Sequence, residues 1–137
     1  MYLPYLVGTV LSLGVAIFAR RVGLDRDRAF YATLVIVVAS YYVLFAAVSG
    51  SVSTVLVESI VMMGFCAVAV VGFKSSQWLF VAALAGHGIF DAFHGSVIAN
   101  AGMPPWWPAF CGAYDIGAAA ALAWFLKASK LPVGVQS

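Results

Sequence analysis

Charge is what this sequence has least of. Only 9% of its 137 residues are Asp, Glu, Lys or Arg, against roughly a quarter in water-soluble domains. That scarcity excludes an ordinary soluble domain. The seven Lys and Arg residues form no stripe that could follow a phosphate backbone, which excludes a nucleic-acid partner. Two cysteines are too few for the disulfide framework of a small secreted domain. No repeat or polar linker divides the chain, so 1–137 reads as a single domain. The start, Met1-Tyr2-Leu3-Pro4, lacks a positive n-region, and the first arginines follow the apolar run. No cleaved signal peptide is therefore expected.

What fills the sequence instead is apolar: 64% of the residues, with a mean hydropathy of +1.04. Five stretches, roughly 2–19, 29–48, 52–73, 78–99 and 109–126, are long enough to span a ~30 Å hydrocarbon core as helices. The fold class expected is all-α, with five transmembrane helices in one bundle. Breakers separate the stretches. Ser49-Gly50-Ser51 is a turn, and the segment 100–108 holds Pro104, Pro105 and Pro108, whose missing amide donors stop a helix. Arg20, Arg21, Arg26 and Arg28 follow the first stretch, Lys74 the third, and Lys127 and Lys130 the fifth. Five spans put all of these on one face, and the positive-inside rule makes that face cytoplasmic. The expected location is a bacterial inner membrane, with the N-terminus outside and the C-terminus in the cytoplasm.

The two cysteines are expected to stay free. Cys111 lies near the outer end of its helix and Cys66 about 14 residues down another, more than ~10 Å apart in depth. Both read as small packing residues. Ala113, Gly117 and Ala121 recur every four residues and form a small-residue face for close helix approach.

The informative residues are those a membrane should not hold. Asp25 and Asp27 belong to the arginine loop, but Glu58, Asp91, Asp115, His87 and His94 all fall within expected spans. Such groups are costly at membrane depth and usually face the bundle interior for a purpose. His87, Asp91 and His94 stand at i, i+4 and i+7, within a ~60° stripe of one helix face. Counted from the outer helix ends, Glu58, Asp91, His94 and Asp115 reach one level, roughly 8–12 Å down, with His87 a turn deeper. Tyr41 and Tyr42 reach a similar depth, and only one of two adjacent residues can point inward. One polar cavity is expected, roofed by the loop that carries Trp106 and Trp107. Those two tryptophans read first as an interfacial belt and second as ligand contacts. Any single histidine or Asp–His pair could equally be a satisfied interhelical hydrogen bond.

The string His87-x3-Asp91-x2-His94, then Asn100, the proline loop and Cys111-x3-Asp115, looks like a family of small bacterial integral-membrane proteins. Glu58 fits the same pattern, and the likeness covers about the C-terminal two-thirds. Gly95 departs from it, where a further histidine is expected, and this weakens a metal reading. The resemblance implies a shared site and no particular activity. More loosely, the size and the acid-rich core are similar to small membrane-bound bacterial terpene cyclases.

Two chemistries suit such a cavity. The first is proton-initiated cyclisation or isomerisation of an isoprenoid-like lipid, without a cofactor. An apolar pocket disfavours a charged carboxylate, so an acid there can keep its proton at neutral pH. Asp91 is the expected acid, His87 or His94 its orienting partner, and Glu58 or Asp115 the final base. Tyr41 or Tyr42, Phe90, Phe93, Trp106 and Trp107 could stabilise a cation. The second is a zinc or iron site drawn from His87, Asp91, His94, Glu58 and Asp115, serving a lipid hydrolase or oxidase. Proton-coupled transport is a third class, although almost nothing polar beyond His87 lies in the inner half. A non-catalytic membrane subunit is the fourth. In each case the membrane is the partner, and the oligomeric state stays open.

Overall fold

Breakers and caps decide where each helix of this chain stops. The computed structural model describes residues 2–128. Lys130 and the C-terminus, which the topology expectation also uses, lie outside the described residues. Helix α1 is Leu3–Val22 and α2 is Ala29–Ser49. Each ends on a glycine at positive φ, Gly23 at 86° and Gly50 at 79°, a conformation that strains any residue with a Cβ. Helix α3, Val52–Lys74, starts at Ser51, whose hydroxyl accepts from the Thr54 N–H. Helix α4 is Trp78–Val97 and α5 is Trp107–Ala128.

The expected boundaries shift by two or three residues at the end of α1, which runs on to Val22, at the end of α4 and at both ends of α5. Helix α4 stops at Val97 because Ile98 turns extended and Asn100 folds into the bundle. Helix α5 begins at Trp107, two residues early, because Pro108 sits in its first turn, where a missing N–H costs nothing.

Among the described residues there are five helices, and four of them, α1, α2, α3 and α5, are long and apolar enough to cross a membrane. Helix α4 matches α1 in length at 20 residues, but its row of His87, Asp91 and His94 dilutes its hydropathy. The exterior is a hydrocarbon surface. Leu6, Phe18, Leu44, Leu56, Ile60, Met63, Ile89 and Trp124 all point outward and are exposed. No soluble monomer tolerates apolar surface on that scale. The chain is built as a membrane protein with its polarity inside.

Helix α5 packs between α1 and α4, α2 lies against α3, and both α2 and α3 touch α4. The small-residue face of α5 is what α1 uses. A Cβ on Gly8 would strike the Phe110 carbonyl oxygen, and one on Gly117 would strike the Ser12 hydroxyl. Among the described residues, the basic ones gather at one end. Arg28 donates to the Phe73 carbonyl at 3.2 Å, Arg20 pairs with Asp25 at 3.1 Å, and the Arg20 guanidinium lies over Phe125 at 4.1 Å. The C-terminal ends of α1, α3 and α5 therefore meet there. Above that end Val35, Phe80, Leu84, Ala119 and Leu122 form a buried apolar layer.

Candidate functional site

Helical geometry makes α4 the spine of the site. Its residues 87, 91 and 94 share one face, and this face turns into the bundle while Ile89 and Phe93 on the opposite side are exposed. Neighbours on α2, α3 and α5 meet that face with their own polar groups. Glu58, His87, Asp91, His94 and Asp115 are all at most 1% exposed. The expected convergence of ionisable groups is therefore present, but it resolves into two clusters on two levels.

The deeper cluster joins α4 to α5. His87 Nδ1 and Asp115 Oδ2 are 2.7 Å apart, a hydrogen bond, and Asp91 Oδ2 lies 3.5 Å from the same nitrogen. The Cys111 thiol, one turn before Asp115, donates to Asp115 Oδ2 at 3.7 Å. One donor atom from each of His87, Asp91, Cys111 and Asp115 lies within 4.8 Å of all the others. The shallower cluster joins α4 to α3 and to the loop after α4. His94 Nε2 and Glu58 Oε2 are 2.7 Å apart. The Asn100 amide donates to Glu58 Oε2 at 2.8 Å and to the Tyr42 carbonyl at 2.9 Å.

Tyr42 links the two. Its hydroxyl donates to Asp91 Oδ1 at 2.6 Å, and its ring stacks on His94. Of the adjacent tyrosines, Tyr42 is thus the one that points inward. Tyr41 packs on Trp107 and Phe45 instead. Phe90 also reaches the site, with its ring against His87, His94 and Tyr42.

The other aromatic expectations are corrected. Phe93 is 59% exposed, because it stands about 200° round the helix from Asp91. Trp106 is half exposed, and its ring contacts are Trp107 and Phe110. Trp107 packs on Tyr41, Phe45 and Phe110, and lines a hollow that reaches Cys111. The glycines flanking His87 also differ. Gly88 packs closely on α5, whereas Gly86 has open space beside it.

Three residues of the site were not assigned a role from the sequence, although Asn100 and Cys111 belong to the spacing pattern that carries the likeness. Cys111 reads as packing when taken alone, yet its i, i+4 spacing to Asp115 already put both on one helix face. Asn100 looks like a loop residue but is buried. Phe65 sets its ring edge against His87 at 4.8 Å, and it stands seven residues after Glu58 on the same face of α3.

Several buried atoms of the clusters have no hydrogen-bond partner: Asp91 Oδ2, Asp115 Oδ1, Glu58 Oε1 and His94 Nδ1. Charge bookkeeping sharpens the point. Three carboxyls and two imidazoles are buried together, and among the described residues every Lys and Arg lies at the far end of the bundle. Burying such a group charged and without a partner is costly, so compensating positive charge, as protons or as a bound cation, is what this interior calls for.

Two hollows flank this half of the bundle. One, about 420 Å³, lies between α1, α4 and α5 and reaches Asp91. The other, about 260 Å³, lies between α1, α2 and α5 and reaches Cys111.

No family model, curated protein or solved structure matches this chain, so the chemistry is read from the geometry alone. The likeness drawn from the His-x3-Asp-x2-His and Cys-x3-Asp spacings has only a loose structural echo, the grouping of His87, Asp91, Cys111 and Asp115.

Proposed function

We propose that this protein is a membrane-embedded, metal-dependent enzyme that acts on a lipid-like substrate. The observation that carries the reading is the buried quartet of His87, Asp91, Cys111 and Asp115, with donor atoms within 4.8 Å of one another and two carboxylate oxygens unpaired. One nitrogen, two carboxylates and one sulfur form a donor set that suits zinc or iron. A divalent ion would offset the charge of both aspartates, and the Cys111 sulfur would join it only by giving up its proton. When bound, such an ion supplies Lewis-acid chemistry, polarising a carbonyl and activating water. Hydrolysis of a lipid ester or amide needs only water besides the lipid, whereas oxidation would need an oxidant.

The chain's own residues do the rest. Tyr42 holds Asp91 Oδ1 by a hydrogen bond and leaves Oδ2 for the ion. Phe65 and Phe90 keep water from the imidazoles. Glu58, His94 and Asn100 form a neighbouring proton-holding group. In the membrane we take α4 as the fifth span, with the arginine end in the cytoplasm by the positive-inside rule. The clusters then lie in the outer half of the bilayer. The apolar layer of Val35, Phe80, Leu84, Ala119 and Leu122 separates them from the cytoplasmic end, which favours a pocket over a proton-coupled transport path.

Elemental analysis of the protein purified without chelator tests the reading. About one zinc or iron per chain is expected, and activity on lipid esters or amides should fall on chelation and return on metal addition. A second reading stands behind it: metal-free, proton-initiated cyclisation or isomerisation of an isoprenoid-like lipid, with Asp91 as acid. The Tyr42 hydrogen bond favours it, because a donor on Oδ1 leaves any Asp91 proton on Oδ2. Protein free of metal, with chelator-resistant activity giving isomeric products, would replace the first reading by the second.

A further inference from the structure

We infer that the groove between α1, α4 and α5 binds the single hydrocarbon chain of an amphiphile taken sideways from the bilayer, and presents its polar group to Asp91. The inference deepens the proposed function by naming the substrate class, and it rests on that reading only for what happens at the polar group.

The groove encloses about 420 Å³, within the size range of small-molecule sites. Tyr5, Gly88, Asp91, Ala92, Gly112 and Ile116 are among its lining residues, so the side chains of its walls are apolar apart from the Tyr5 phenol and Asp91, whose carboxylate is buried just behind the wall. It opens on the outside of the bundle, where Tyr5 and Ile116 are 54% and 45% exposed. On that side a membrane protein meets hydrocarbon, and nothing but hydrocarbon fills an apolar groove there. Its floor is thin because two glycines form it. A Cβ on Gly88 would meet the Ile116 side chain at 2.9 Å, and one on Gly112 would sit 3.5 Å from Asp91 Cβ. Those missing side chains bring the floor to Asp91, whose Oδ2 is buried, accepts no hydrogen bond and lies 3.5 Å from His87 Nδ1. A carbonyl or hydroxyl at the end of a chain is the group that such an oxygen, or an ion beside it, would recognise.

Size selects one chain rather than two. A methylene is close to a water molecule in volume, about 30 Å³, so the groove holds on the order of a dozen chain carbons. A fatty acyl or linear isoprenyl chain meets this description, and a two-chain phospholipid does not fit whole.

Photolabelling of the full-length protein in lipid nanodiscs tests the inference. The probes are a diazirine-bearing fatty alcohol, a diazirine-bearing linear prenol and, as a control, a phosphatidylcholine with the same diazirine chain. Labelled peptides are mapped by mass spectrometry. The single-chain probes should mark α1, α4 and the first half of α5 severalfold more than the outward residues Leu56, Ile60 and Met63 of α3. The phosphatidylcholine should mark all faces alike. Ala92→Phe fills the groove from its exposed rim without touching the quartet, so it should abolish the excess; Ala92→Ser should keep it. Uniform labelling, an excess unchanged in Ala92→Phe, or an equal excess with phosphatidylcholine would each overturn the groove. Which single-chain probe labels better separates acyl from isoprenyl sources. Metal content measured on the same sample keeps the two claims apart: labelling without metal retains the groove and removes the metal reading, and metal without labelling does the reverse.

Discussion

The ring of Tyr42 lies flat on that of His94, with centroids 3.8 Å apart and planes within 8°, while its hydroxyl reaches Asp91 Oδ1 at 2.6 Å. One side chain therefore touches both clusters by different means, a stacked face for one and a donated proton for the other. Two substitutions separate these contacts. Tyr42→Phe keeps the stack and leaves Asp91 Oδ1 unpaired, which should cost about 1–3 kcal/mol. Tyr42→Leu loses the stack as well and should cost more. Thermal unfolding in detergent gives the order, and equal losses would mean that the stack contributes nothing.

Metal content should divide the acidic residues by cluster. Asp115→Asn and His87→Ala are expected to lose the ion, and Glu58→Gln to retain it, because Glu58 belongs to the His94 pair. Protons compete with a metal for the same imidazole and carboxylates, so content should fall as pH is lowered. Retention in Asp115→Asn, or loss in Glu58→Gln, would place any ion elsewhere.

The shallower cluster predicts a ranked effect at Glu58. Glu58→Gln preserves shape and one acceptor for Asn100. Glu58→Leu strands both His94 Nε2 and the Asn100 amide, and breaking a buried pair in this way costs about 3–5 kcal/mol. Stability should therefore run wild type, Gln, Leu. The opposite order of the two variants would show that the carboxylate is a burden rather than an anchor.

At the α1–α5 contact, Gly117→Ala should destabilise by about 1–3 kcal/mol, because the new methyl overlaps the Ser12 hydroxyl. Ser12→Gly should relieve most of that loss in the double variant. If the two effects simply add, the helices are not as close as the structure has them.

Topology can be read with single cysteines in a background lacking Cys66 and Cys111. A cysteine at Arg26 should react with a membrane-impermeant thiol reagent only in inside-out vesicles, and one at Met103 only in intact cells. The reverse pattern would move the clusters to the inner half of the bilayer.

Much of the site was legible because α4 obeys its period. Three ionisable residues at 87, 91 and 94 can share only one face, and a membrane leaves that face nowhere to go but inward. Depth counting found Glu58 and Asp115 by the same logic. It could not find the division into two clusters, because depth fixes height and not which helix faces which. The choice between Tyr41 and Tyr42 also needed the rotation of α2. That helix is apolar all round, so no polar face announces its orientation. Its buried Tyr31, Val35, Val38 and Tyr42 do recur at helical spacing, a signal that apolar neighbours such as Val37 and Leu44 conceal. Phe93 was the avoidable error, since the stripe that selects Asp91 places Phe93 on the far side.

Helix α4 also bears on how the chain is made. It is the one helix that falls short of the apolarity its four companions have. An aspartate at the centre of a solitary helix costs about 2.5–3.5 kcal/mol to insert, and α4 carries two histidines besides. Its partners Tyr42 and Glu58 are synthesised before it, but Asp115 and Cys111 come about twenty residues later, on α5. During translation α4 thus leaves the ribosome with His87 unmatched. It gains a settled place in the bilayer only when α5 arrives, so the two are expected to insert together as a hairpin. A chain cut short in the 98–106 loop would strand α4 at the membrane surface, a target for quality-control proteolysis.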